Sequence, residues 1–299
     1  MTILTTARFA GWLVYTALTM IRRQRSGSVV CPSCGRLVGV SVPECPFCGR
    51  ASPGMFGFAS VFRALGSHLG VVEIVVGGCV ALYLLTLLSD MQGIRGGGMM
   101  SFLSPSTESL RRFGASGALP VLVDARWWTV LSAGWLHGGA IHILFNMLWV
   151  RNLAPICVAI YGPSRTLLLY TGSSVLGFVA STLSLFSPIF PQRALTVGAS
   201  AAVFGLLGAT VLAGRRGIAS SIGQQAWMYA IVLFAFGLVF PGVDNWAHLG
   251  GFVGGFFGAR LLDPMKAERT DHLIAALACL LATLASVVAS VLLWPPAGG

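Results

Sequence analysis

From residue 71 onward, long apolar runs alternate with short polar or glycine-rich breaks. The runs fall at about 72–89, 131–161, 165–187, 199–213, 225–241, 245–263 and 272–294. An α-helix rises about 1.5 Å per residue and a hydrocarbon layer is about 30 Å thick, so this pattern predicts seven membrane-spanning helices. The run at residues 8–20 is different. It is only thirteen residues long, about 20 Å of helix, which predicts an interfacial or docking helix, with an additional span as the alternative. Arg22, Arg23 and Arg25 follow it; a secretory signal carries its charges in front.

The pattern sets provisional boundaries: an N-terminal helical segment over 1–30, a cysteine module over 31–50, a linker over 51–70, a membrane core over 71–265 and an added C-terminal helix over 266–299. The fold class expected is an all-α polytopic membrane protein carrying a small zinc-ribbon-like module.

Composition agrees. Of 299 residues, 56% are hydrophobic and 9% charged, with a mean hydropathy of +0.82; a soluble domain carries roughly 25% charged residues. The 38 glycines suit helices that approach closely in lipid. The net charge of +10 reads as membrane-loop charge, with no nucleic-acid partner.

Residues 31–50 read CPSCGRLVGVSVPECPFCGR. CPxCGR occurs twice, so two tight turns each present two thiolates, a donor set for tetrahedral zinc. Two disulfides or redox-active pairs are the alternatives, and the duplication of the turn favours zinc held by Cys31, Cys34, Cys45 and Cys48. With no open coordination position nearby, the metal is expected to be structural. Reduced thiols place the N-terminus in the cytoplasm. Cys79, Cys157 and Cys279 lie in apolar runs and read as small buried hydrophobes.

Starting from an inner N-terminus, thirteen Lys and Arg residues fall on the inner side and five (Arg95, Arg111, Arg112, Arg126, Arg193) on the outer, leaving Arg151 inside a span. That excess matches the positive-inside rule. Residues 90–130 form the long outer connection. They mix glycines, an arginine pair and apolar residues, ending in Arg126-Trp127-Trp128, which predicts a loop lying partly in the membrane interface.

Polar side chains inside spans mark the candidate chemistry. The second run carries His137, His142 and Asn146; the fourth begins at GASAAVFG with Ser200; the sixth carries Asp244, Asn245 and His248. His142 and Asn146, four apart, share a helical face. The second, fourth and sixth runs all descend from the outer side, and Ser200, His142 and His248 fall at a shared depth in its half of the bilayer. A serine needs a base, and His248 is the candidate. His142, Asn146 and the Ser200 amide are candidate oxyanion donors. Glycines 250, 251, 254, 255 and 258 thin the sixth run so that the fourth can approach, and Phe204 can buttress the imidazole. Asp244 sits where a helix cap is expected, so a Ser/His dyad is predicted rather than a triad.

These motifs resemble the rhomboid intramembrane serine proteases. GASAAVFG is similar to their GxSxxxFG-type motif, HGGAIHILFN to their H-x4-H-x3-N helix, and AHLGGFVGGFFG to their histidine helix. The resemblance covers about residues 70–265 and implies a six-helix core, with the 272–294 run as the added helix of "six plus one" members. It implies Ser200 as nucleophile, His248 as general base, His142, Asn146 and the Ser200 amide as the oxyanion hole, His137 in support, and room at Gly198 for a substrate backbone. No catalytic cofactor is implied. Two positions depart: the first loop's Trp-Arg pair reads Trp128-Thr129, with Arg126 two residues before, and the second helix has Val158 and Ala154 where Glu and Gly are frequent.

The expected activity is endoproteolysis of single-span transmembrane substrates in the lipid bilayer, in the cell (inner) membrane, with the site opening outward and the zinc module facing a cytoplasmic partner. The alternatives are an inactive rhomboid-like protein that binds transmembrane clients, and a transporter with a zinc-bearing module.

Overall fold

The computed structural model describes residues 23–67, 69–94, 102–186, 194–240 and 242–295. The helix expected over residues 8–20 lies outside them. The chain divides into two compact units, Met1–Leu69 with Met265–Ala275, and Gly70–Pro264 with Ala276–Gly299.

In the first unit, strands β1 (Ser28–Val30) and β2 (Leu37–Gly39) pair antiparallel, Val29 opposite Val38. Val29, Cys31, Val38, Val40, Cys45 and Ala59 form its core. So small a core needs a cover, and residues 51–67, within the segment expected as a linker over 51–70, supply one. Ala51 bridges to Glu44, Met55–Gly57 make a 3-10 turn, and α1 (Ala59–Ser67) follows. The first residues of the C-terminal helix belong to this unit. Arg50 Nη1 donates to both carboxylate oxygens of Asp271 at 2.8 and 2.9 Å and to Ser33 Oγ at 2.7 Å, and the Thr270 amide donates to the Pro32 carbonyl.

The second unit holds α2 (Val71–Ser89), α3 (Thr107–Arg112), α4 (Thr129–Ser132), α5 (Ala140–Tyr161), α6 (Pro163–Leu183), α7 (Ser200–Arg215), α8 (Ser220–Val239), α9 (Asn245–Leu261) and most of α10 (Thr270–Leu292). Five helices among the described residues are long and apolar enough to cross a membrane: α2, α5, α6 with its 3-10 extension to Phe186, α8 and α10. The seven expected helices are all present, five of them of full membrane length. α7 and α9 have 16 and 17 residues, about 24–26 Å, short of a hydrocarbon layer. α7 meets little lipid: every residue from Ala201 to Ala213 is buried.

The second run is also not one helix. α4 and a 3-10 turn at Ala133–Trp135 come first, Leu136 is extended, and α5 starts only at Ala140. The Gly138-Gly139 pair accounts for the break, since consecutive glycines hold a helix poorly. His137 consequently lies in the break and not in a span. α5 ends at Gly162, whose φ of +88° needs glycine, and Pro163 opens α6 at its first position.

The two short helices are pressed together by glycine. A methyl group at Gly251 would lie 2.1 Å from the Ala201 carbonyl oxygen, and one at Gly255 would lie 1.9 Å from that of Gly205. On its other side α9 meets α6, where Gly250 faces Ala180 and Gly254 faces Leu176. Gly258 has ordinary contact distance to Leu169 and does less for the approach than its neighbours.

Candidate active site and metal centre

Ser200 is the first residue of α7, and Ala199 before it offers no side-chain cap. The first N–H groups of a helix have no partner within it, so this terminus presents free donors with the positive end of the dipole. Gly198 makes the turn with φ +131°, and its amide donates to the Ala133 carbonyl at 3.0 Å. His248 lies on the facing side of α9. Its Nε2 is 3.0 Å from Ser200 Oγ, within the range for proton transfer. The Phe204 ring stacks on the imidazole, centroids 4.2 Å apart and 15° from parallel. Ser200 is half-buried and His248 buried.

No carboxylate reaches His248 Nδ1, which has no hydrogen-bond partner among the described residues. Asp244 is engaged elsewhere: it caps α9 by accepting from the Ala247 amide at 3.0 Å and accepts from Ser181 Oγ.

His142 and Asn146 project from the first turns of α5. The Gly138 amide donates to His142 Nδ1 at 3.3 Å. A neutral imidazole accepting there carries its proton on Nε2, and Nε2 is 2.7 Å from where a methyl group at Gly198 would stand. The ring therefore aims a donor at the Ser200 turn. Asn146 Nδ2 donates to the His142 carbonyl at 2.9 Å, which leaves its second N–H available. His137 is fully buried, edge-on to His142 with ring centroids 5.2 Å apart. Gly138 was not singled out in the sequence; the only signal was its place in the break before His142.

The departing positions have defined neighbours. Near Ala154 and Val158, Cys157 Sγ sits 3.4 Å from Thr210 Oγ1 and Tyr161 donates to the Ala209 carbonyl at 2.8 Å, tying α5 to α7. The buried Arg126 donates to the carbonyls of Arg111 and Ser290, each at 2.9 Å.

In the first unit the two CPxCGR segments fold alike. Gly35 N donates to Cys31 O and Gly49 N to Cys45 O, both at 3.0 Å; Cys31 N donates to Arg36 O and Cys45 N to Arg50 O, both at 2.8 Å. Gly35 and Gly49 take φ of +75° and +70°, which explains glycine after each pair. Sulfur separations are 3.8 Å for Cys31–Cys48 and 3.7 Å for Cys34–Cys45, with all four within 4.8 Å of one another. Tetrahedral zinc with Zn–S near 2.3 Å calls for sulfurs about 3.8 Å apart, so these four cysteines fit a metal ion. Burial opposes ionisation of Cys45, but the Phe47 and Cys48 amides, with neighbouring thiols, donate to its sulfur and bring it down to about 7.

The Rhomboid domain family model matches residues 124–264, which take in the Ser200, His248 and His142 segments. Rhomboid protease GluP of Bacillus subtilis (strain 168) is 35% identical over 167 residues, 55% of this chain and 31% of GluP. YdcA of the same organism is 30% identical over 154 residues, 50% of this chain and 73% of YdcA. The chain belongs to the rhomboid family. With five membrane-length helices, this rhomboid is an integral membrane protein. It is also 29% identical over 155 residues to Inactive RHOMBOID-like protein 8 of Arabidopsis thaliana, 50% of this chain and 42% of that one. This rhomboid spans about a third of GluP's length, and the cysteine module lies outside the matched domain.

Proposed function

We propose that this rhomboid is a serine endopeptidase that cleaves transmembrane segments of single-span proteins within the bilayer. The observation that carries the reading is the 3.0 Å contact between Ser200 Oγ and His248 Nε2, set at an uncapped helix N-terminus. Family membership supports intramembrane proteolysis as the general activity.

Ser200 Oγ attacks the scissile carbonyl carbon as His248 Nε2 takes the hydroxyl proton. The carbonyl oxygen becomes an oxyanion, met by the Ser200 amide, His142 Nε2–H and the free Asn146 N–H. His248 then gives the proton to the leaving amine, the C–N bond breaks, and an acyl-enzyme remains on Ser200. Water, deprotonated by His248, attacks the ester; the C–Oγ bond breaks, His248 returns the proton to Ser200 Oγ, and the acid leaves. Phe204 stacks on the imidazole and holds its plane. The four cysteines hold a structural zinc, with no part in the reaction.

The inward charge excess supports a cytoplasmic N-terminus and a site opening to the outer side of the cell membrane. Depth supports water-limited chemistry. Ser200 stands about 22 Å along its helix from Arg215, at ~1.5 Å per residue, below the far surface of the membrane. A substrate helix has to unwind to present its backbone there, so segments with helix-breaking residues are the preferred class.

The name of the Arabidopsis relative keeps an inactive, client-binding rhomboid as the second reading. A fluorophosphonate probe on the detergent-solubilised full chain separates the two. Labelling that vanishes in Ser200→Ala, with cleavage of reconstituted single-span segments, is expected. A folded wild-type protein that neither labels nor cleaves leaves the client-binding reading in its place.

A further inference from the structure

α10 is the helix added beyond the six-helix core, and its outer part carries a polar stripe. Thr283, Ser286 and Ser290 are all buried, with Ser290 fully so, at the three- and four-residue spacing of one helical face. A helix that served only as an anchor would have no need of it. Ser286 Oγ donates to the Trp128 carbonyl at 2.7 Å, Trp128 Nε1 donates to Ser290 Oγ at 3.1 Å, and Arg126 Nη2 donates to the Ser290 carbonyl at 2.9 Å. Trp294 caps the contact, with the Arg126 guanidinium 5.3 Å from its ring centre. Ser290 also faces Gly114 so closely that a methyl group on the glycine would be 2.7 Å from its Oγ.

What these groups hold is not a free loop. The Thr129 and Ser116 hydroxyls lie 3.2 Å apart, and Thr129, next to Trp128, also donates to the Arg126 carbonyl at 2.8 Å. Ser116 pairs with Thr196 through both backbone bonds, at 3.1 and 2.7 Å, and the Leu119 amide donates to the Ala194 carbonyl at 3.1 Å. Thr196 is two residues before Gly198, where the turn that sets Ser200 begins. A path of hydrogen bonds and adjoining backbone thus runs from α10 through the first loop to the residues that precede Ser200.

We propose that Arg126, Ser286 and Ser290 are positioning residues for the Ser200 turn: α10 clasps the first loop, and the loop pins residues 194–196. This rests on Ser200 as nucleophile, and it assigns the C-terminal helix a role in the geometry of the reaction. It also accounts for the arginine standing two residues before Trp128, where it reaches the Ser290 carbonyl.

The test compares Ser290→Leu, Arg126→Ala and Arg126→Lys in the full chain, with two readouts. The first is fluorophosphonate labelling of Ser200 and the split between kcat and KM on a reconstituted single-span substrate. The second is amide hydrogen exchange at Ser116, Leu119 and Thr196, which needs no activity. Ser290→Leu and Arg126→Ala are expected to slow labelling and lower kcat about tenfold or more at unchanged KM, to raise exchange at those three amides while α7 and α9 stay protected, and to be partly rescued in Arg126→Lys. Unchanged labelling and exchange in folded variants overturns the proposal, as does a uniform rise in exchange across α7 and α9, which marks a purely structural role. A wild-type chain that never labels sinks the nucleophile assignment instead, and the exchange readout still reports whether the clasp holds residues 194–196.

Discussion

The Gly255 Cα and the Gly205 carbonyl meet with no room for a methyl group, which would stand 1.9 Å from the oxygen. That closeness, repeated one turn earlier between Gly251 and Ala201, brings His248 of α9 within 3.0 Å of Ser200 of α7 across 48 residues of sequence. The contact is backbone on backbone, so no side chain can rotate to relieve an added atom.

Gly255→Ala should therefore destabilise the fold by roughly 1–3 kcal/mol, as overpacked cores do, and cut fluorophosphonate labelling of Ser200. Gly172→Ala is the control. Gly172 lies inside α6 with nothing within 4 Å of an added methyl, so the change should leave labelling intact and add up to about 1 kcal/mol through helix propensity. Unfolding in graded denaturing detergent, beside labelling rates, separates them.

His142→Ala removes an oxyanion donor and should lower kcat by about 10²–10³ with KM nearly unchanged. Gly198→Ala should resemble it, because the new methyl would stand 2.7 Å from His142 Nε2 on a backbone at φ +131°. Steady-state kinetics on a reconstituted substrate decides. An effect confined to KM contradicts the donor role.

Asp244→Asn tests dyad against triad. The side chain caps α9 through Ala247 and meets Ser181, and asparagine caps nearly as well as aspartate. Activity should stay within about tenfold of wild type, whereas loss of a triad carboxylate costs about 10⁴. A fall of the larger size would show that Asp244 acts on His248.

The full chain should bind one zinc through its four cysteines, measured by elemental analysis, and Cys45→Ser should reduce that content. In the metal-free protein Cys45 is brought down to about 7; at Cys48 the Arg50 amide favours the thiolate, but burial and hydrogen bonds to the other three thiols together outweigh it and push the group up to about 12. Zinc must displace that proton, so uptake near neutral pH should release protons and retention should weaken as pH falls. Proton release on adding zinc to the apo chain checks the direction.

The four sulfurs, the serine turn and the two histidine helices were legible because each is a short motif whose chemistry is local. Two thiolates on a glycine-ended turn, a serine among small residues opening an apolar helix, and two polar groups four apart keep their meaning wherever the helix sits. The cap role of Asp244 was legible for the same reason, as it needs only the next three residues. Tertiary structure decided what depends on distant backbone. α7 is short and enclosed by protein, and α9 is held against it by glycine. Residues 51–67 fold over the cysteine module's small core, and His137 drops into a break that an apolar run concealed. The Ser286–Ser290 stripe passed as ordinary small residues, since nothing in the C-terminal segment reveals that Arg126 and Trp128, more than 150 residues earlier, stand against it. Helix-local hydrogen bonding and hydrophobicity act over a few residues and can be read along the chain; which faces meet is fixed by close packing, where glycine permits approach and side-chain volume forbids it.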